Sequence, residues 1–244
     1  SLGERSSKHA DFFMWSQADG LHSHHGFRPR TADQDVDENN TILRTGRGDA
    51  RVTTAQMQRE LWETVNARTT EPLVKAAERL VHELPEGTPP GKVMALWLES
   101  ARRDDAARGL IWPTIDPAHY SKAGSSWSVF PNLAIGHGII FSLCYRVRPY
   151  GDDPEKCIFE SYVIERFPEG KEPKTEWVYA APDEVEKWRP VLLQDFQNMV
   201  EVQKGMKSRA VRPMIPNPIQ EMKVINFHRN LAKFMGTSPL MPFK

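Results

Sequence analysis

Apolar positions change their period along this chain, and each change predicts a different kind of element. Met57, Leu61 and Val65 recur at a spacing of four, the signature of one helical face. Thr53 with Gln56 fits a capping box at the start of that helix. Glu71-Pro72 opens a second helix with the stripe Leu73, Ala77, Leu80, Leu84. The run Pro85 to Gly91 breaks it, and a third helix carries Met94, Trp97 and Ala101 and ends near Gly109. Together these predict a helical block over residues 53–109. From Ser125 the period shortens to two. One strand is expected over Trp127 to Ile135, with Pro131 marking an edge or a bulge. In the next, Ile139, Phe141, Leu143, Tyr145 and Val147 alternate with mostly polar neighbours up to Arg148. A turn from Pro149 to Pro154 leads into Cys157 through Phe167, which completes an antiparallel meander with one face inward.

Two helices close the chain. Asp183 and Glu186 suit a short turn before Pro190, and a long helix is expected from Val191 to Lys204 with Gly205 as its stop. Asn217, Pro218 and Gln220 supply the start of a last helix that ends near Gly236. Residues 1–52 carry little periodicity beyond the patch Phe12-Phe13-Met14-Trp15, and the tract from Arg28 to Asp49 reads as loop. An irregular segment of that length is expected to pack on something else. The fold class is α+β: an antiparallel sheet, over residues 125–244, with a long helix laid across it.

Composition narrows the function. A length of 244 residues with 39% hydrophobic positions supports a buried core in one large or two small domains. Lys and Arg number 32 against 32 Asp and Glu, without a basic cluster, so the footprint of a nucleic-acid binder is missing. The longest apolar run, Leu133 to Tyr145, is interrupted by Gly136, His137, Gly138 and Ser142 and is not expected to span a membrane. The first residues show no apolar signal region, and two cysteines fit a reducing compartment. The expectation is a cytoplasmic protein without nucleic-acid or membrane partners.

The sharpest site signal is Asp195. On the helix from Val191, Gln194, Gln197, Glu201 and Lys204 make a solvated stripe, whereas Leu192, Asp195, Met199 and Val202 make the sheet-facing one. A lone carboxylate there needs a cation, because an unpaired buried charge costs several kcal/mol or takes up a proton. Arg146 and Arg166 are candidate salt-bridge partners; a metal ion is the other possibility. The histidines offer weaker signals. His22, His24 and His25 read as a surface loop cluster, and His9-Ala-Asp11 spells an HxD with His119, His137 or His228 as a distant third ligand. Cys144 and Cys157 read as small core residues, and no nucleophile elbow or phosphate loop is present. The aromatic side chains on the strands suggest either core or an apolar cavity between sheet and helix.

Three segments carry a resemblance. Trp127-Ser-Val-Phe-Pro-Asn-Leu-Ala-Ile135, Tyr145-Arg-Val-Arg-Pro149 and Leu193-Gln-Asp-Phe-Gln-Asn-Met199, in this order, resemble the catalytic domain of Rieske non-haem iron oxygenase α subunits, the aromatic-ring-hydroxylating oxygenases. Gln220 to Arg229 is similar to that family's last helix, and Asp19 to His24 to the segment after its histidine motif. The resemblance implies a helix-grip fold with the substrate cavity between sheet and long helix. It also implies mononuclear Fe(II) on two histidines and one aspartate, with Asp195 as the aspartate and Asn198 tuning it from behind. Trp127, Phe130, Asn132, Phe141 and Tyr145 are the candidates for the cavity wall. Further implications are an apolar or aromatic substrate, O2, a Rieske [2Fe-2S] cluster fed by a ferredoxin or reductase, and a homo- or hetero-oligomer.

The family's Asp-x-x-His-x-x-x-x-His does not occur here, and neither Cys144-Tyr-Arg nor Cys157-Ile-Phe makes a Rieske motif. The expectation is therefore a partial catalytic domain, with the histidine pair and the Rieske domain outside this sequence, inactive alone. Two other readings compete with it. One is a non-catalytic helix-grip protein that binds a hydrophobic ligand and pairs Asp195 with an arginine; the other is an iron enzyme built on His9 and Asp11.

Overall fold

The computed structural model describes residues 12–19, 22–29, 49–65, 67–124, 126–210, 216–217 and 221–237. Helix α1 (Ala50–Thr64) begins three residues before Thr53, because the Asp49 side chain accepts the backbone N–H of Arg51 at 2.9 Å and caps the first turn. Helix α2 (Glu71–Glu83) buries Leu73, Ala77 and Leu80 of its expected stripe together with Val74 and Ala76. Helix α3 (Pro90–Ala107) buries Val93, Trp97 and Ala101, whereas Met94 is exposed. The inward face therefore starts one residue earlier than the sequence pattern suggests. Leu73, Ala77, Leu80, Trp97, Ala101, Leu110, Trp112 and Ile140 form one cluster, which ties the helical block to the segment entering the fifth strand.

Asp105 is fully buried beside that cluster. Its carboxylate accepts the Trp112 indole N–H at 2.5 Å and the Arg108 Nε–H at 2.7 Å, so the charge is compensated where water is absent.

Six strands follow one another in a single antiparallel sheet: β1 (Phe12–Asp19), β2 (His22–Pro29), β3 (Ser126–Val129), β4 (Leu133–His137), β5 (Phe141–Tyr150) and β6 (Asp153–Glu165). A short helix, α4 (Pro117–Ala123), precedes β3. Three expectations change. The irregular segment proposed for 1–52 contains the hairpin of β1 and β2, and His22, His24 and His25 lie on a strand, not a loop. The segment His-Ser-His-His-Gly-Phe-Arg-Pro has no apolar alternation; its strand form comes from ladder bonding to β1 on one side and β3 on the other. The single strand expected over 127–135 is two strands, since Phe130, Pro131 and Asn132 make the turn of a hairpin and Pro131 has no N–H for a ladder. Finally, β5 and β6 run closer to their turn than expected, because Gly151 at φ 57° closes a two-residue connection. His9, Asp11, most of the 28–49 tract, Pro218 and Gln220 lie outside the described residues.

Helix α5 (Pro190–Met206) includes Gly205, which was expected to stop it, and α6 (Met222–Met235) ends at Gly236 in the left-handed region, φ 65°. Both helices stand on one face of the sheet. Val191 of α5 is buried with Leu143, Val65 and Ala67, and α6 crosses β1 and β2. No helix among the described residues is long and apolar enough to cross a membrane.

Replacing Asp105 by Ala is expected to cost about 3 kcal/mol, since the indole N–H and the guanidinium lose their buried acceptor. The urea midpoint of unfolding measures it, and an unchanged midpoint would contradict the role given to this carboxylate.

Candidate active site

The geometry of the site follows from matched repeats. Four residues along a helix advance about 6 Å, and two along a strand about 6.6 Å. With Val191 seated on Leu143, the next inward position of α5 is Asp195, and the next on that face of β5 is Tyr145. The Asp195 charge reaches the Tyr145 phenol, as does Arg68 from the segment after α1. Asp195 is half-buried, and no ion pair of it occurs among the described residues.

The two arginines considered as partners are elsewhere. Arg146 faces the opposite side of the sheet and forms a short contact with Glu160, which also accepts Arg148 at 2.7 Å. Arg166 follows β6, where its backbone N–H donates to Ile140 at 2.8 Å. The inward stripe of α5 also proves shorter than expected. Leu192 and Asp195 are half-buried, but Met199 and Val202 are exposed by 51% and 48%, and Asn198 is exposed. The first two turns pack closest, where Phe196 meets Phe159 and Trp188 edge-on at 5.4 and 4.9 Å. Beyond them the helix is tethered by Gln203 donating to Glu155 at 3.2 Å.

Tyr145 joins this acid to an open cleft of about 570 Å³ between the sheet and α6. Its walls include Phe130, Pro131, Leu133, Val147 and Phe227, with Tyr145, Asn132 and Lys223 as polar groups. Phe130 stacks on Phe234 at 5.3 Å and meets Phe227 at 5.8 Å, which fixes the α6 side. Asn132 donates its amide to the Val147 carbonyl at 2.9 Å and closes the mouth of the β3–β4 turn.

Of the five residues expected at a cavity wall, Phe130, Asn132 and Tyr145 line this cleft. Trp127 does not: it pairs with Ile135 on the opposite face, donates to the Ala123 carbonyl at 2.9 Å and meets His137 edge-on at 6.0 Å. Strand alternation brings Ser128 and Ala134 to the cleft instead. Phe141 shares the face of Tyr145 but packs against the helical-block cluster at the far end of β5. Cys144 is buried, its thiol pushed up by burial, while Cys157 is exposed at the cleft rim and is not a core residue.

Lys223, Asn226 and Phe227 were not expected here, because nothing local in a helix shows which strand it will cross. Arg68 was missed too, and Gly136 makes room for it. A Cβ on Gly136 would stand 1.9 Å from its Nη1.

The remaining histidines are dispersed. His119 is exposed and 3.5 Å from Asp116, His137 is on the other face with its pKa lowered by burial, and His228 lies beside Phe227. Among the described residues no group of three or more His, Cys, Asp or Glu is placed to hold a metal ion.

A sheet folded against helices, with an inward acid near an apolar cleft, has the form of a small-molecule site. The chain belongs to the ring hydroxylating alpha subunit family, whose catalytic-domain model matches residues 4–237. The α+β architecture is that domain's helix-grip fold, and membership makes the chain part of a ring-hydroxylating oxygenase in the general sense. Comparison with curated proteins and with solved structures found no match. The family implies iron, but the described residues offer Asp195 without a ligand set around it, so they do not by themselves fit the metal.

Burial raises the pKa of Tyr145, Arg68 lowers it and Asp195 raises it. Asp195→Asn removes a negative charge that disfavours tyrosinate, so the Tyr145 pKa is expected to fall; Arg68→Met is expected to raise it. Tyrosinate absorbance against pH, with Tyr145→Phe as the blank, reads both signs, and shifts in the opposite senses would break this electrostatic arrangement.

Proposed function

We propose that this chain is a portion of a Rieske-type oxygenase α subunit that hydroxylates an aromatic or other apolar substrate with O2. Asp195 is the carboxylate ligand of a mononuclear Fe(II) whose other ligands lie outside the described residues. The carrying observation is that Asp195 faces the sheet beside Tyr145 and an apolar cleft, without an ion pair among the described residues, while Arg146 and Arg148 are taken up by Glu160. That favours the metal reading over the arginine reading. The Rieske cluster belongs outside this sequence, since Cys144 and Cys157 lack its histidine spacing. With that cluster go the ferredoxin or reductase that feeds it and the oligomer across whose subunits it works.

This chain's own residues bind and orient. Phe130, Leu133, Val147 and Phe227 offer an apolar wall that displaces water from a ring. Tyr145 stands between that wall and Asp195 and keeps a neutral hydroxyl there, because burial raises its pKa. An apolar ring held against this wall lies beside Tyr145, the lining residue that senses Asp195.

The natural coding sequence upstream of Ser1 tests the reading. An open frame carrying Asp-x-x-His-x-x-x-x-His, preceded by Cys-x-His and Cys-x-x-His, is expected; a start codon there without them would overturn it. In the protein bearing those motifs, Asp195→Ala should lose about one iron per chain while the visible spectrum of the cluster persists. Retention of that iron would remove Asp195 from the ligand set.

A further inference from the structure

A second cavity, of about 420 Å³, shares no lining residue with the cleft. It lies between the helical block and the end of β6, with Trp62 from α1, Thr70 at the start of α2, Arg108 after α3, and Glu165 and Phe167 from the strand end. Most of its charges answer one another. Lys75 reaches Glu71 at 2.6 Å, and Arg108 donates its Nε–H to Asp105 at 2.7 Å. Glu165 is left over: it is half-buried, and its carboxylate forms no ion pair or hydrogen bond among the described residues. Burial raises its pKa, Arg108 lowers it from beyond ion-pair distance and Asp105 raises it. Thr70 is the other unanswered group. It is 2% exposed, and its hydroxyl neither caps α2, whose second residue Pro72 has no N–H, nor meets any other partner among the described residues. Trp62, 37% exposed, and Phe167 add aromatic surface to the same space. Two oxygen acceptors, one of them charged, beside aromatic walls suit a cationic donor on an apolar body.

We infer that this cavity is a second ligand site, for an organic amine whose ammonium donates to the Glu165 carboxylate and the Thr70 hydroxyl while its apolar body lies on Trp62 and Phe167. An ammonium carries three donors and no acceptor, which suits a carboxylate and a hydroxyl oxygen together. A carboxylate ligand would leave Glu165 unanswered beside it and compete with Asp105 for Arg108. The site is independent of the cleft and takes no part in oxygen chemistry. Its occupant joins α1 to β6, and Trp62 stands three residues before Val65, part of the seat of α5. An amine held there ties the edge strand to the segment on which α5 rests.

Calorimetric titration of the chain at neutral pH with phenethylamine and with phenylethanol, its uncharged counterpart of similar shape, tests this without iron or O2. The chain is expected to bind the amine about tenfold more tightly than the alcohol, the size of one charge-assisted hydrogen bond. In Glu165→Gln that preference should vanish with the alcohol's affinity unchanged. Thr70→Val, which removes a hydroxyl that has no partner in the free protein, should weaken the amine about threefold. Equal affinity for the two probes, binding of neither, a preference that survives Glu165→Gln, or an amine affinity untouched by Thr70→Val would each overturn the inference. The wild-type comparison decides even if a variant fails to fold. The oxygenase reading stands or falls on the iron motifs and Asp195, none of which enters this titration, so the two fail separately.

Discussion

Burial of Val191 against Leu143, Val65 and Ala67 seats the first turn of α5 on the sheet, and the site depends on that contact. Each such side chain contributes about 1.5–3 kcal/mol when fully removed from water, which is ample to hold one helical turn in register with one strand. Once Val191 is fixed over Leu143, the two repeats bring Asp195 level with Tyr145. A rotation of α5 by one residue would put Gln194 or Phe196 there and the carboxylate in solvent. The helical block therefore serves the site, because Val65 and Ala67, between α1 and α2, form half of the seat.

The sheet separates its charges by face. On the outer side Arg146 and Arg148 share Glu160, whose carboxyl these two guanidinium groups hold below the usual range. Cys144 is buried on the same side, near Tyr162 and its edge-on neighbour Trp177 at 5.9 Å. On the inner side the charged groups stand apart: Asp195 by the α5 seat, Arg68 over Gly136, and Lys223 at the start of α6. Asp195 and Arg68 both act on Tyr145, the residue that also lines the apolar cleft, and neither aromatic content nor net charge discloses that arrangement.

The helices and central strands were legible because their residues repeat. Leu73, Ala77 and Leu80 face inward as their spacing of four and three requires, and the alternation through Leu143, Tyr145 and Val147 is that of β5. Asp195 was legible for the same reason, a charge on a stripe of apolar positions. What failed was whatever depended on a partner distant in the chain. The β1–β2 hairpin contains no pattern of its own and is made a strand by its neighbours. Trp127 was placed at the cavity because aromatic residues suggest one, but the face it takes is set by pairing with Ile135. Met199 and Val202 are apolar and exposed, beyond the turns of α5 where Phe196 packs on Phe159.

The sequence by itself determined the α+β class, the helices of the block over 53–109, the alternation of β5 and an inward acid on α5, since periodicity and capping act over a few residues. Only the tertiary structure decided which face of β3 meets the cleft, that Arg68 and Tyr145 flank Asp195, and that Lys223 of α6 lines the opposite wall. Those relations join residues tens of positions apart, and they are fixed by strand register and by which apolar surface each helix covers, neither of which is written at any single position.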